Sequence, residues 1–289
     1  MTYRISLGTV QFGLSYGVAN QIGQVTFREA KSIIEYVKFS GVSDIDTAIS
    51  YGESESNLGE IGVEEFNVTT KLPLVPENIS EYDVKNWVVD QVDRSLSRLN
   101  LKKLYALLIH NPSQLHGKIG TIIFDALSDL KNQGKIKKLG VSIYSPNELE
   151  ALDKDFKIEI VQAPFNLLDT RLKTSGWLER LKSQNVEIHT RSCFLQGLLL
   201  LPPNKVPTKF KKWSNIIYEY HTWLSKERIT PAHACLAFVL SNLSIDKVVV
   251  GVDSLVHIKE IISIAKYREN LVIPDFSCSD LDLIEPVRW

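Results

Sequence analysis

The chain has 289 residues, 44% of them hydrophobic, enough for one large buried core and the usual length of a single α/β barrel. With 33 basic against 34 acidic residues, its formal net charge of −1 sets up no field that would draw in nucleic acid or an anionic membrane. Cys193, Cys235 and Cys278 are odd in number and widely spaced, with no Cys-x-x-Cys or Cys/His ligand pattern, which argues against a disulfide framework or a zinc site. Strand-like runs then recur along the sequence: 3–9, 42–46, 67–72, 104–110, 136–143, 158–164, 185–192 and 247–252. Helical patterns fill the intervals. Thr26 with Glu29, and Ser80 with Asp83, are spaced as capping boxes, and Thr230-Pro231 opens a third helix with a cap and a proline at its first position.

Strands that alternate with helices, several of them continuous Val/Ile/Leu runs, predict a parallel sheet covered by helices and closed as a (β/α)8 TIM barrel, one domain over 1–289. Two stretches fall outside the repeat. Residues 197–229 form a long insertion of loop and aromatic-rich helix between strands seven and eight, and a tail runs over 270–289; both are candidate covers for the barrel mouth. The basic run 209–213 reads as a solvated helix face. No basic leader followed by an apolar run is present, and the longest apolar stretches fall far short of the roughly 20 residues that span a bilayer. The expectation is a cytoplasmic protein without membrane or nucleic-acid partners, a monomer or small homo-oligomer.

In such barrels the chemistry sits where strands end at their C-terminal side. The apolar runs turn polar at Thr9, Asp46, Lys71, His110, Ser142, Gln162, Arg191 and Gly251. In the stretch 44–60 the apolar entry gives way abruptly to Asp46 and Thr47, then Tyr51-Gly52-Glu53. Each of these polar residues alone has an ordinary structural use as a cap, a strand end or a core histidine. An aspartate, tyrosine, lysine and histidine converging from three successive strands suit carbonyl reduction. A phenol is a reluctant proton donor near neutrality, and a lysine ammonium held against its oxygen eases proton loss. Asp46 would keep Lys71 charged, and His110 would orient the substrate oxygen.

These segments resemble the aldo-keto reductase family over essentially the whole chain: LGTVQFG, DTAISYGESESNLGE, TTKL, LLIHNP, LKNQGKIKKLGVSIYS, VQAPFNLLD, RSCFLQGLL and VVVGVDSLVHIKEI. The resemblance implies reduction of an aldehyde or ketone, a small-molecule carbonyl substrate, and QFGLSYG with Asn20 resembles a bacterial branch of the family associated with sugar-derived substrates. It implies NADPH, with NADH as the alternative, bound without the Gly-x-Gly-x-x-Gly fingerprint, which this chain lacks. Tyr51 matches the family's general acid, Lys71 and Asp46 its supporting pair, and His110 the carbonyl-orienting histidine. Thr9, Ser142 and Gln162 fall among the cofactor-binding positions, the last two on the nicotinamide carboxamide. Arg191, Ser192, Phe194, Gln196 and Gly197 match the loop against the ring and pyrophosphate, and Gly251, Val252, Ser254, His257 and Glu260 the grip on the adenosine phosphate.

The chain departs from the family pattern in places. Ile143 replaces an asparagine common after the serine, and Arg191 an aromatic ring that stacks on nicotinamide. His257 and Ile261 replace the arginine and asparagine of NADPH-preferring members, with Lys259 as another source of charge. Cys193 reads as a buried structural thiol. The histidines show no His-x-His or His-Glu-x-x-His spacing, and no metal is expected. Two alternatives stay open: a Schiff-base lyase with Lys71 as nucleophile, and a cofactor-binding regulatory subunit with the same fold. Specificity is expected from Phe12 and Tyr16 after strand one, the 197–229 insertion and the tail through Trp289.

Overall fold

A computed structural model describes residues 4–150, 152, 156–266 and 271–289. Eight strands, β1 (Ile5–Gly8), β2 (Asp44–Asp46), β3 (Asn67–Leu72), β4 (Leu104–Ile109), β5 (Ile136–Ser142), β6 (Ile160–Pro164), β7 (Glu187–Arg191) and β8 (Lys247–Gly251), pair in parallel in chain order, and β8 closes onto β1. This is the expected barrel, with each strand trimmed or kept within its apolar run. Tyr3, at the start of the first run, lies outside the described residues.

The principal helices are α1 (Phe27–Ser40), α2 (Ser54–Ile61), α3 (Val84–Leu99) and α4 (Gly117–Asn132), with a short α5 (Asn147–Glu150) after β5. Next come α6 (Arg171–Thr174) and α7 (Trp177–Ser183) before β7, then α8 (Ser214–Glu227), α9 (Pro231–Ser241), α10 (Leu255–Lys266) and α11 (Leu281–Ile284). In α1, Ala30, Ile33, Ile34 and Val37 share one face and are buried against the sheet. With Leu7, Ile45, Leu107, Val141 and Ile188 on the outward strand faces they belong to one continuous core. Fully burying such a side chain stabilises by roughly 1.5–3 kcal/mol, so this shell between strands and helices carries the stability. Inside the barrel a small apolar cluster, Ala106, Leu108 and Ile160, is separate from that core.

Two helix starts differ from expectation. Thr26 accepts the Glu29 N–H, but the Glu29 carboxylate does not return to Thr26; it reaches α10 instead, where Oε1 accepts the Leu255 N–H at 2.6 Å. Ser80 caps Tyr82 N–H in a 3₁₀ turn (Glu81–Asp83), and α3 begins only after it. Thr230 accepts from His233 N–H with Pro231 at the first turn, as the sequence predicts.

The 197–229 insertion contains the end of one 3₁₀ turn (Leu195–Leu200), two more (Pro203–Lys205, Thr208–Trp213) and α8. The tail, whose first residue, 270, is outside the described residues, packs on it: Trp213 Nε1 donates to Asp280 Oδ2 at 3.0 Å, and the Phe210 and Trp289 rings meet edge to face. Among the described residues no helix is long and apolar enough to cross a membrane.

Candidate active site

Past β2 the backbone keeps pairing with β3, Thr47 N–H to Thr69 O and Ile49 N–H to Lys71 O, before a turn closes from Tyr51 N–H to Ala48 O. Gly13 lets the β1 loop press on this turn, since a Cβ there would stand 1.8 Å from Tyr51 O. The turn therefore sets Tyr51 over the ends of β2 and β3, beside His110 from the end of β4. The two rings meet edge to face, with centroids 6.0 Å apart.

Lys71 is 1% exposed, and its Nζ donates to Asp46 Oδ1 at 2.7 Å and to Thr47 O at 2.8 Å, 5.0 Å from the Tyr51 ring centroid. Burial works against the ammonium, but the Asp46 carboxylate first, and then the nearby Tyr51 hydroxyl, outweigh that and hold it above the ordinary lysine range. Asp46 Oδ2 in turn accepts from Gln162 Nε2 at 2.6 Å. His110 Nδ1 lies 3.3 Å from Ser50 Oγ. Burial first, then the Lys71 and Arg191 charges, push its pKa down to about 4, so this imidazole is neutral at physiological pH.

These groups border a cavity of about 500 Å³ at the C-terminal ends of the strands. Asp46, Tyr51 and His110 line it together with Thr9, Ser142, Gln162, Arg191, Ser192, Phe194, Gln196, Gly197, Gly251, Val252, His257 and Glu260. Lys71 lies beneath, outside the lining. Ser254 is also outside it: its Oγ accepts the His257 N–H and caps α10. Thr9 has a bracing role, with Oγ1 donating to Asp46 O at 2.9 Å and accepting from Ser54 Oγ at 3.0 Å.

The loop 192–197 is strained where it faces the cavity. Ser192, Leu195 and Gln196 have φ of 62°, 47° and 52°, and Gly197 has φ 88°, with room for no side chain because a Cβ would come within 2.6 Å of Ala19 Cβ. Arg191 is turned toward β5. Its guanidinium stacks 4.6 Å from the Tyr144 ring centroid, and Nη2 donates to Ile143 O at 3.0 Å. Cys193 is buried, and burial then Cys235 push its thiol well up, as expected of a structural cysteine.

The donor set fits a nicotinamide cofactor. Gln162 spends its amide on Asp46, so its Oε1, buried and without a hydrogen-bond partner, offers an acceptor at the cavity floor to a carboxamide N–H. Beyond the expected residues, Gln11, Asn20, Tyr144 and Asp253 also line the cavity. Asn20 ties the β1 loop, accepting from Ile22 and Gly23 N–H and donating to Tyr16 O. Tyr144 follows a strand end without breaking an apolar run, and Asp253, the first polar residue after the run 247–252, reads as an ordinary turn residue ahead of a helix.

Other expectations need correction. Tyr16 does line the cavity, but Phe12 is fully buried in the core. Of the insertion, Gly197, Leu200 and Leu201 line the cavity, whereas α8 and the described tail do not. The tail acts at one remove: Arg171 donates to Glu285 Oε1 at 2.7 Å and to Tyr144 O at 3.0 Å.

Comparison with known proteins places this geometry. The chain is 30% identical over 190 residues to the glyoxal reductase of Bacillus subtilis (strain 168), a match spanning 65% of each chain. It is 29% identical over 191 residues to an uncharacterized oxidoreductase, YtbE, of the same organism, spanning 63% of this chain and 66% of that one. The match thus spans just under two thirds of these curated relatives. The fold superposes on the holo form of the aldo-keto reductase AKR11C1 from Bacillus halodurans with a TM-score of 0.72 at 19% identity, covering 93% of this chain and 88% of that one. The model of the Aldo/keto reductase family matches residues 4–277, and with eight parallel strands closed around this mouth the chain belongs to that family.

Proposed function

We propose that the protein reduces an aldehyde or ketone to the alcohol, with NADH or NADPH as reductant and Tyr51 as general acid. The observation that carries this reading is the buried Lys71–Asp46 pair set under Tyr51, with a neutral His110 at its edge. When bound, the nicotinamide supplies a hydride to the carbonyl carbon. Tyr51 gives its hydroxyl proton to the carbonyl oxygen, and the Lys71 ammonium stabilises the phenolate left behind. Asp46 fixes that ammonium, and Gln162 fixes Asp46. A neutral His110 can donate a ring N–H to the same oxygen without adding charge to the site. Gln162 Oε1, Ser142 and the 191–197 loop would hold the nicotinamide end, and the segment 251–260 the adenosine end.

The lyase reading loses ground. A Schiff-base lysine must be neutral to attack, whereas Lys71 is held charged by Asp46 and shielded from the cavity. An intact set of four also argues against a purely regulatory subunit. Cytoplasmic location and a sugar-derived substrate remain part of the proposal on sequence grounds. Oxidation of NADH or NADPH followed by absorbance across aldehydes, ketones and sugar derivatives tests the reading. Carbonyl-dependent loss of absorbance is expected, and a substrate adduct on Lys71 trapped by borohydride, with no reduced cofactor bound, would favour the lyase.

A further inference from the structure

On the side formed by the end of β8 and the start of α10 the cavity is bordered by Val252, Asp253, His257, Glu260 and Ile261. Here α10 begins, and its Leu255 N–H already donates to a carboxylate, Glu29 Oε1, at 2.6 Å. A helix N-terminus that would ordinarily favour an incoming phosphate thus has an anion of the protein's own beside it. Lys259 does not line the cavity. Its Nζ lies over the Tyr36 ring, 5.5 Å from the centroid. Among the described residues, the ionisable side chains that face this end are Asp253 and Glu260, both acidic, and His257. Asp253 Oδ1 is buried and has no hydrogen-bond partner. A buried acceptor in that state calls for a donor.

We infer that Asp253 selects NADH over NADPH, accepting a hydrogen bond from a hydroxyl of the adenosine ribose and, with Glu260, repelling a 2′-phosphate. This rests on the reading of the cavity as a nicotinamide-cofactor site. A hydroxyl donor would satisfy Oδ1 at no cost in charge, whereas a phosphate brings only acceptors and negative charge to a place that holds two carboxylates. Discrimination here comes from a repulsive element as much as from an attractive one. Burial, partly offset by His257, raises the Asp253 carboxyl above its usual range, consistent with a carboxylate short of donors.

Dissociation constants of NADH and NADPH, read by cofactor fluorescence on the purified full chain, test the inference. The native protein should bind NADH at least roughly tenfold tighter than NADPH, a difference of about 1.4 kcal/mol. Asp253→Ser should close that gap by strengthening NADPH and weakening NADH, while Glu260→Gln should strengthen NADPH alone and by less. Thermal melts of both variants establish that they are folded. Tighter NADPH binding by the native protein, or an Asp253→Ser variant that shifts both cofactors equally, overturns the inference and leaves the cofactor reading standing. Failure of the folded native protein to bind either cofactor overturns both.

Discussion

The two ends of the barrel hold the same four kinds of side chain and use them differently. At the mouth stand Lys71, Tyr51, Asp46 and His110; at the opposite end stand Lys138, Tyr105, Glu187 and His189. At that opposite end the other three groups turn on the acid. Glu187 Oε2 accepts from the Tyr105 hydroxyl at 2.7 Å and from Lys138, and Oε1 faces His189 Nε2 at 2.7 Å. Burial and Glu187 push the Tyr105 phenol up to about 12; burial opposes ionisation of Glu187, but His189 and Lys138 bring it down to about 2. The tyrosine proton there is locked onto a carboxylate. At the mouth the acid takes the lysine instead, and the lysine lies beneath the tyrosine ring, so the carboxylate is spent on the ammonium rather than on the phenol, which lines the cavity. Residue types alone do not make a site; which partner the acid takes decides it.

The largest effect that would break this comparison belongs to the supporting pair. Lys71→Met and Asp46→Asn should each lower kcat on the order of 10²–10⁴, and the double variant should be scarcely worse than the poorer single, because groups that act as a unit are not additive. Losses that simply multiply, measured in the same steady-state assay, would mean that the pair is uncoupled.

At the opposite end, Glu187→Gln leaves the Lys138 charge poorly paired and should cost roughly 3 kcal/mol in denaturant unfolding, with turnover per folded molecule unchanged. Equal damage to turnover would erase the contrast between the two ends.

A smaller effect comes from His110. Its pKa is 6.5 as an ordinary imidazole and about 4 in the fold, so between those values the unfolded chain binds more protons and stability falls as pH drops. The native protein should lose on the order of 1–3 kcal/mol more than His110→Asn between pH 6.5 and 4, less than the full shift because the ring is partly exposed. Parallel stability curves for the two proteins would contradict a neutral, half-buried His110.

Much of this was legible in the sequence because it depends on local pattern. The strands are apolar runs, and Asp46, Lys71, His110 and Gln162 are the polar residues that end them, so their register at one barrel end follows from the alternation alone. What was not legible depends on contacts between distant segments. The Glu29 carboxylate passes from a local cap to α10, 226 residues away in sequence. Lys259 turns to Tyr36, leaving Asp253 at the cavity. Arg191, at the end of β7, is drawn across β6 to Ile143 and Tyr144 after β5. In the stretch 44–60, Asp44, Asp46 and Glu55 look equivalent, yet Asp44 pairs with Lys247 and Glu55 with Arg98, and only Asp46 reaches the mouth.

The central claim, that Tyr51 is the proton donor and Tyr105 its structural double, meets its most direct test in one paired assay. Turnover of Tyr51→Phe and Tyr105→Phe is measured on the best carbonyl substrate at saturating cofactor, beside the dissociation constant for that cofactor. Tyr51→Phe should lose on the order of 10²–10⁴ in kcat with cofactor affinity nearly intact, while Tyr105→Phe keeps its turnover and loses only stability. A Tyr51→Phe protein that turns over at the native rate would contradict the account.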